Sequence, residues 1–532
     1  MLYSEGWQGC KKDSGALIYG VLLLSALFLT GCHETATNSA QDYSLDAFEN
    51  MKVEEYALSS SQVREGLEHC CKSDHDGSYA ARHVRKYYSQ GGRLVWVDPL
   101  GVDCRADSLL SLLNQKLPEM GFHEQVFSVA QIDEDLRRLR TLDFDESHGA
   151  NMVMARLEYN LTKAYLRYVA GQRYGFVNPD YVLNRFDARE VDSLGNAKAY
   201  RQLFDVDMEH ADDSYVGKAL SKVTSDGLCD YMRDVEPKDS FYHRLMKMLP
   251  TASASRRQTI LVNMERRRWR ELQQPEAGSK YVIVNVPAFH LWAVSPDTLV
   301  DMRAACGALK TKTPLLSSKI THMEVNPEWV IPMSIVRDDV ARHAGDSSYF
   351  ARHRYYIVDK NTGHQLSPRA VSQSMLLSGK YRVAQKGGAG NSLGRIIFRF
   401  PNNFSVFLHD TSSPGVFQRD NRGVSHGCVR VQRPFDLAVF MMGGQQDEWQ
   451  FDKLRISMGM KPETDQGREY LDELDPSEEM PRLIRSMNIS PRVPLFITYY
   501  TLFQTPDGAL QSYPDVYGYD AAIGEALKTY TQ

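Results

Sequence analysis

Between about residues 56 and 276 the apolar positions recur at helical spacing. Asp107-Ser108 can cap a helix that carries Leu109, Leu110, Leu112, Leu113 and Leu117 and stops at Gly121, after Pro118. Residues 152–168 set Val153, Leu157, Leu161, Ala164, Tyr165 and Tyr168 on one face, and the pairs Leu136/Leu139 and Leu245/Leu249 continue the pattern. A packed helical scaffold is predicted, with no constellation of chemically active side chains. At Gly278 the period changes. Tyr281-Val282-Ile283-Val284-Asn285-Val286 reads as a strand, Pro287-Ala288 interrupts it, and His290-Leu291-Trp292-Ala293-Val294 reads as a second, so a β domain begins here.

Residues 333–390 have a different texture: a helix is predicted over 334–344, followed by irregular sequence punctuated by Gly363, Pro368, Gly379, Gly387, Gly388 and Gly390. A long non-strand insertion between strands of one sheet suggests a lid. Residues 395–400 and 404–408 then form two apolar runs joined by Pro401-Asn402-Asn403, a hairpin that leaves His409 at a strand end. Beyond an acidic segment through Glu478-Glu479, residues 493–502 form a further strand, expected to pack back onto the β domain. The fold class is α+β, an N-terminal helical domain followed by a mostly-β domain. The predicted boundaries are a leader at 1–31, a tether at 32–55, the scaffold at 56–277, the β domain at 278–443 with its insertion at 333–390, and a C-terminal region at 444–532.

Composition narrows the function. The 532 residues are 42% hydrophobic, enough for more than one packed domain. With 62 Lys plus Arg against 67 Asp plus Glu the net charge is −5, and no basic block suggests a nucleic-acid footprint. Arg266-Arg267-Arg268-Trp269-Arg270 is the one basic cluster, read as a solvated helix face. The apolar run 16–29, after Lys11 and Lys12, is too short to span a bilayer and matches a signal-peptide core of about 7 to 15 residues. It ends in Leu29-Thr30-Gly31-Cys32, similar to the lipobox of bacterial lipoproteins. That resemblance implies lipidation at Cys32, a periplasmic anchor in the inner or the outer membrane, and a polar tether that lets the domains stand off the bilayer.

The chemistry concentrates between His409 and Arg430. A Cys attacks as thiolate, and an ordinary thiol is mostly protonated near neutral pH, so it needs a base or a cation beside it. Cys428 follows a glycine, Gly427, which allows a tight turn and could aim main-chain N–H groups at a developing oxyanion. His409 and His426 are both candidates for the base. In simple alternation Arg430 is expected to point away from the thiol, toward a substrate carboxylate or an internal acidic partner. Cys70, Cys71, Cys104, Cys229 and Cys306 have no spacing that selects disulfide partners, and no Cys/His spacing resembles a metal site.

His409 followed by Ser425-His426-Gly427-Cys428-Val429-Arg430 resembles the signature of the YkuD-type L,D-transpeptidases, cysteine enzymes that remodel bacterial peptidoglycan. Asn263-Met264-Glu265-Arg266, Asn326-Pro327 with Trp329, Asn391-Ser392-Leu393-Gly394-Arg395 and Asp515-Val516-Tyr517 extend the likeness to the large Gram-negative subfamily, which has a helical scaffold and a capping insertion. The resemblance implies a YkuD-type β domain in which Cys428 is the nucleophile and His409 the acid/base, held by a nearby main-chain carbonyl. His426 and Gly427 line the oxyanion side, and Arg430, Asn391 and Ser425 contact substrate. Donor and acceptor stem peptides are the implied partners, carbapenems the implied inhibitors, and no cofactor or metal is implied. The implied reaction is acyl transfer from a tetrapeptide stem, releasing D-alanine, to a side-chain amine, giving a 3-3 cross-link. Hydrolysis of the same thioester, as a carboxypeptidase or endopeptidase, and a non-catalytic wall-binding lipoprotein are the alternatives. The wall-binding module that many large relatives insert before Asn263 has no counterpart here.

Overall fold

The computed structural model describes residues 58–98, 101–225, 227–443, 447–474 and 481–532, so the leader, Cys32 and the tether lie outside the described residues. The chain divides into two compact units, one containing the described residues up to Val177 with Glu209–Arg270 and Ala526–Gln532, the other Asn178–Met208 with Glu271–Glu525.

The first unit is helical. Helix α1 (Cys104–Met120) starts earlier than its sequence suggests, because Asp103 rather than Asp107-Ser108 accepts the first free N–H, that of Arg105. It runs through Pro118 and ends at Gly121, whose φ of 71° lets its N–H reach back to the carbonyl of Pro118. Helix α2 (Ala150–Tyr174) buries the predicted face of Val153, Leu157, Leu161, Ala164, Tyr165 and Tyr168. Its Glu158 is fully buried and accepts the N–H groups of Val95, Trp96 and Val97 and the hydroxyl of Tyr88, which replaces the water that a buried carboxylate loses. Helix α3 (Ala254–Arg268) corrects the reading of the basic cluster. Arg266 and Arg268 are buried, with Arg268 paired to Glu265 at 3.0 Å and donating to the Tyr242 hydroxyl at 2.9 Å, while Arg267 pairs with Asp239 at 2.6 Å. Those cations are packing elements of the scaffold.

The second unit is built on one continuous sheet. Its strands are β1 (Phe204–Asp205), β2 (Tyr281–Asn285), β3 (His290–Val294), β4 (Leu299–Gly307), β5 (Leu315–Val325), β6 (Ile396–Arg399), β7 (Leu408–His409), β8 (Gly423–Ser425), β9 (Val429–Val431) and β10 (Ser486–Thr498). The order β6-β7-β9-β4-β3-β2-β10-β5 returns to β6, closing the sheet on itself, and β1 and β8 add parallel pairings to β5 and β4. Alternation then sorts the residues. Phe398, Leu408, Val429, Ala304 and Met323 are buried on the inner face, each contributing to the closed core, while Arg399, His409, Arg430 and Glu324 stand on the outer face.

Two boundaries differ from the sequence reading. Residues 178–208, read as scaffold, belong to the sheet unit, because Phe204 and Asp205 pair with Leu315 and Leu316. A two-residue strand leaves no periodicity to detect. The late strand packs back onto the β domain as expected, β10 lying between β2 and β5 deep in the sheet, but residues 526–532, read with it, cluster with the helical unit.

The insertion after β5 is helical over 333–343, as predicted, but it is not otherwise irregular. Trp329–Val330, Tyr381–Gln385, Tyr355–Asp359 and Gln365–Leu366 form a four-stranded sheet of their own around Ile331, Val336, Val340, Phe350, Ile357 and Val383. Each fully buried side chain of this kind contributes about 1.5–3 kcal/mol, so the insertion carries its own small core.

Candidate active site

Two local devices position the chemistry. The first is Asn402, whose side-chain amide donates to the carbonyls of Phe400 and Val406 at 3.0 and 2.8 Å and whose oxygen accepts the N–H groups of Phe404 and Val406. It folds the β6–β7 loop and delivers His409 to the strand end. The second is the turn before Cys428. Ser425 Oγ donates to the Cys428 carbonyl and accepts the Gly427 N–H, Thr311 Oγ1 donates to the Ser425 carbonyl at 2.7 Å, and Thr313 Oγ1 donates to the Gly427 carbonyl at 2.9 Å. Tyr517 completes the support: its hydroxyl donates to the Gly307 carbonyl at 2.7 Å and accepts the Thr313 N–H at 3.1 Å. Thr311 and Thr313 sit in no recognisable motif, and only the turn they brace reveals them. Gly427 has φ of 119°, a conformation that side chains other than glycine's rarely adopt.

Strands β7 and β9 run parallel with Leu408 beside Val429 and His409 beside Arg430. Extending that register by one residue sets Phe407 beside Cys428, and the Val429 N–H donates to the Phe407 carbonyl at 3.1 Å. Cys428, Phe407, His409 and Arg430 therefore share the outer face. This corrects the expected orientation of Arg430: residues two apart on a strand point to the same side.

The electrostatics describe a neutral resting pair. Burial pushes the Cys428 thiol up to about 11, opposed by a main-chain hydrogen bond from Phe407 and by the positive charges of Arg430 and Arg399. Burial, reinforced by Arg430, lowers His409 from 6.5 to about 4, while the main chain at Asp410 and Leu393 pulls it back up. His409 is 4% exposed, and its Nδ1 has no hydrogen-bond partner. Near neutral pH the thiol keeps its proton and the imidazole can accept one, as a general base requires. Arg430 is half-buried with its Nε unpartnered, and among the described residues no carboxylate pairs with it. Of the two partners expected for it, the internal acid is absent among those residues.

The remaining expected site residues separate. His426 is exposed and borders, with Gly427, Lys312, Phe204 and Phe404, a cavity of about 660 Å³. The Gly427 N–H is already given to Ser425, which leaves the Cys428 N–H, without a partner among the described residues, as the donor free to meet an oxyanion. Ser425 is buried and spent on the turn. Asn391 is fully buried: its amide donates to the carbonyls of Pro327 and Lys386 at 3.2 and 3.0 Å and its oxygen accepts the Leu393 N–H at 2.7 Å. Both were expected on substrate, and the structure makes them braces, Ser425 of the turn before Cys428 and Asn391 of the base of the insertion.

Residues 279–446 match the L,D-transpeptidase catalytic domain of the YkuD family, and residues 82–249 match the Scaffold domain family. The chain is also similar to a Haemophilus influenzae protein named "Putative L,D-transpeptidase", with 26% identity over 324 residues. That alignment covers 60% of this chain and 60% of the relative, so the chain spans about three fifths of the curated protein it matches.

Proposed function

From a chain that carries a YkuD L,D-transpeptidase catalytic domain behind a Scaffold domain, we infer a peptidoglycan L,D-transpeptidase working through a thioester on Cys428. The observation that carries the mechanism is the shared outer face of β7 and β9, where a protonated thiol, a neutral imidazole and an unpaired guanidinium stand together.

Arg430 takes the terminal carboxylate of the donor tetrapeptide and draws the preceding peptide bond over Cys428. Sγ attacks the carbonyl carbon of the third residue as His409 accepts the thiol proton. The Cys428 N–H donates to the oxyanion. Collapse of the intermediate breaks the C–N bond, His409 returns the proton to the leaving amine, and D-alanine departs. The side-chain amine of an acceptor stem then attacks the thioester and loses its proton to His409, which passes it to the departing thiolate. A 3-3 cross-link forms and the thiol is regenerated. The open cavity at His426 gives room for a second stem beside the nucleophile turn. The lipobox-like Cys32 supports an anchor in the periplasm, and the tether supports reach toward the wall.

Incubation with tetrapeptide-bearing muropeptides, followed by mass spectrometry of the products, is expected to give 3-3 dimers that disappear in Cys428→Ala. Dimers that persist in the variant remove the nucleophile from Cys428. Tripeptides without dimers assign the chain to hydrolysis, and no product at all assigns it to wall binding.

A further inference from the structure

A second polar group occupies the outer face beside the thiol, and the chemistry above does not use it. In the register of β5 against β6, His322 lies beside Arg399 and Glu324 beside Ile397, and Ile397 lies beside His409. Alternation therefore puts Glu324 and Arg399 on the same face as Cys428 and His409. One row across the sheet reads His322, Arg399, Phe407, Cys428, and the next reads Glu324, Ile397, His409, Arg430. Arg399 is two strands from Cys428, about 10 Å at ordinary strand spacing.

The pair is formed and yet open. Arg399 Nε donates to Glu324 Oε1 at 2.5 Å and Nη2 to Oε2 at 3.5 Å, with His322 Nε2 3.3 Å from the same Oε1. The side chains are 39% and 31% exposed, and Nη1 of Arg399 makes no hydrogen bond among the described residues. Phe407 lies between this pair and the thiol, its ring 5.3 Å from the Arg399 guanidinium and 5.7 Å from the His409 imidazole. The surface leading away from the nucleophile is thus an aromatic floor that ends in a fixed plus–minus pair.

We propose that Phe407, Arg399 and Glu324 form the subsite for the third-residue side chain of the donor stem, selecting a diamino acid whose far end carries both an ammonium and a free carboxylate. The proposal rests on the transpeptidase reading above. With the third-residue carbonyl at Sγ, an extended three-methylene chain runs over Phe407 and covers most of the distance to Arg399. The guanidinium's own stem covers the rest. The distal carboxylate meets the open Nη1 edge of Arg399, and the distal ammonium meets the remaining lone pairs of Glu324. An acceptor stem does not fit here, because its distal amine must lie against the thioester carbon and not two strands from it.

The test uses the full chain and four tetrapeptide donors: one with diaminopimelate in third position, one with its distal carboxylate converted to the carboxamide, one with its distal amine N-acetylated, and one with lysine. The readout is kcat/KM for D-alanine release. The unmodified chain is expected to prefer the free-carboxylate donor by roughly ten- to hundredfold. Arg399→Gln is expected to collapse that ratio to near one, and Arg399→Lys to restore part of it. Glu324→Gln is expected to erase the preference for a free over an N-acetylated distal amine. Arg399→Gln lowering every donor by the same factor, or leaving the ratio intact, overturns the subsite. Absence of D-alanine release from every donor by the unmodified chain overturns the transpeptidase reading instead. Alkylation of Cys428 by iodoacetamide, followed by mass spectrometry, checks that the variants keep the nucleophile turn.

Discussion

The Ser425 hydroxyl donates to the main-chain carbonyl of Cys428 at 2.5 Å while accepting the Gly427 N–H at 3.1 Å. One buried side chain thus closes the turn that presents the thiol, and it withdraws the Gly427 N–H from any oxyanion. Ser425→Ala breaks both bonds without touching substrate. A loss of about 1–3 kcal/mol in stability is expected, together with a kcat reduced at least tenfold and a KM little changed, because aim and not binding is lost. Thermal melts and donor kinetics read the two effects separately.

Gly427 tests the same turn through the backbone. A Cβ there would meet Val406 Cγ1 at 3.5 Å and the Lys312 carbonyl at 3.8 Å, ordinary contacts, so space does not forbid a side chain. The φ of 119° does. Gly427→Ala is expected to fold with a loss of about 1–3 kcal/mol and to slow acylation of Cys428 by a carbapenem at least tenfold, followed by intact-protein mass spectrometry. Acylation at the unmodified rate removes the strained turn from the mechanism.

His409 links the site to acid stability. Its folded pKa is depressed from 6.5 to about 4, so between those values the unfolded chain binds the proton and the folded one does not. Stability therefore rises with pH across this window, is fully present above 6.5, and is lost as pH falls through about 4. The shift corresponds to about 3 kcal/mol. Urea unfolding at both ends of the window is expected to show a smaller pH dependence in His409→Gln than in the unmodified chain. An unchanged dependence assigns the titration to another group.

Much of this site was legible in the sequence for a physical reason: two apolar runs joined by Pro401-Asn402-Asn403 place His409 at a strand end, and a glycine before Cys428 marks a turn. Helix α2 was legible because its long apolar face outvotes every local preference. The misreadings share the opposite cause. The strands of the insertion are two to five residues long amid glycines, too short for a period of two to emerge. Arg268 looked solvated because the sequence does not show Tyr242, 26 residues away, folded against it. The partnership of Glu324 with Arg399, 75 residues apart, exists only through the register of β5 on β6. Asn391 shows the same limit, since the resemblance suggests a substrate contact and its position gives the amide to carbonyls.

In the proposed mechanism Arg430 couples the acid/base group, the nucleophile and the donor carboxylate, and its removal separates them. Its charge lowers the His409 pKa and favours the Cys428 thiolate. In Arg430→Gln the imidazole is relieved of a repulsive neighbour, so the acid limb of kcat/KM moves up from about 4 toward the ordinary histidine value. The thiolate loses an attractive neighbour, so acylation slows at every pH. The donor's terminal carboxylate loses its guanidinium, which raises KM by roughly ten- to hundredfold. Arg430→Lys keeps the charge but not the fork of donors, and is expected to restore the position of the acid limb while leaving KM high. A pH profile of D-alanine release for the three proteins checks this. An acid limb that stays near 4 in Arg430→Gln shows that burial alone sets the His409 pKa, and an unchanged KM moves the carboxylate contact to another residue.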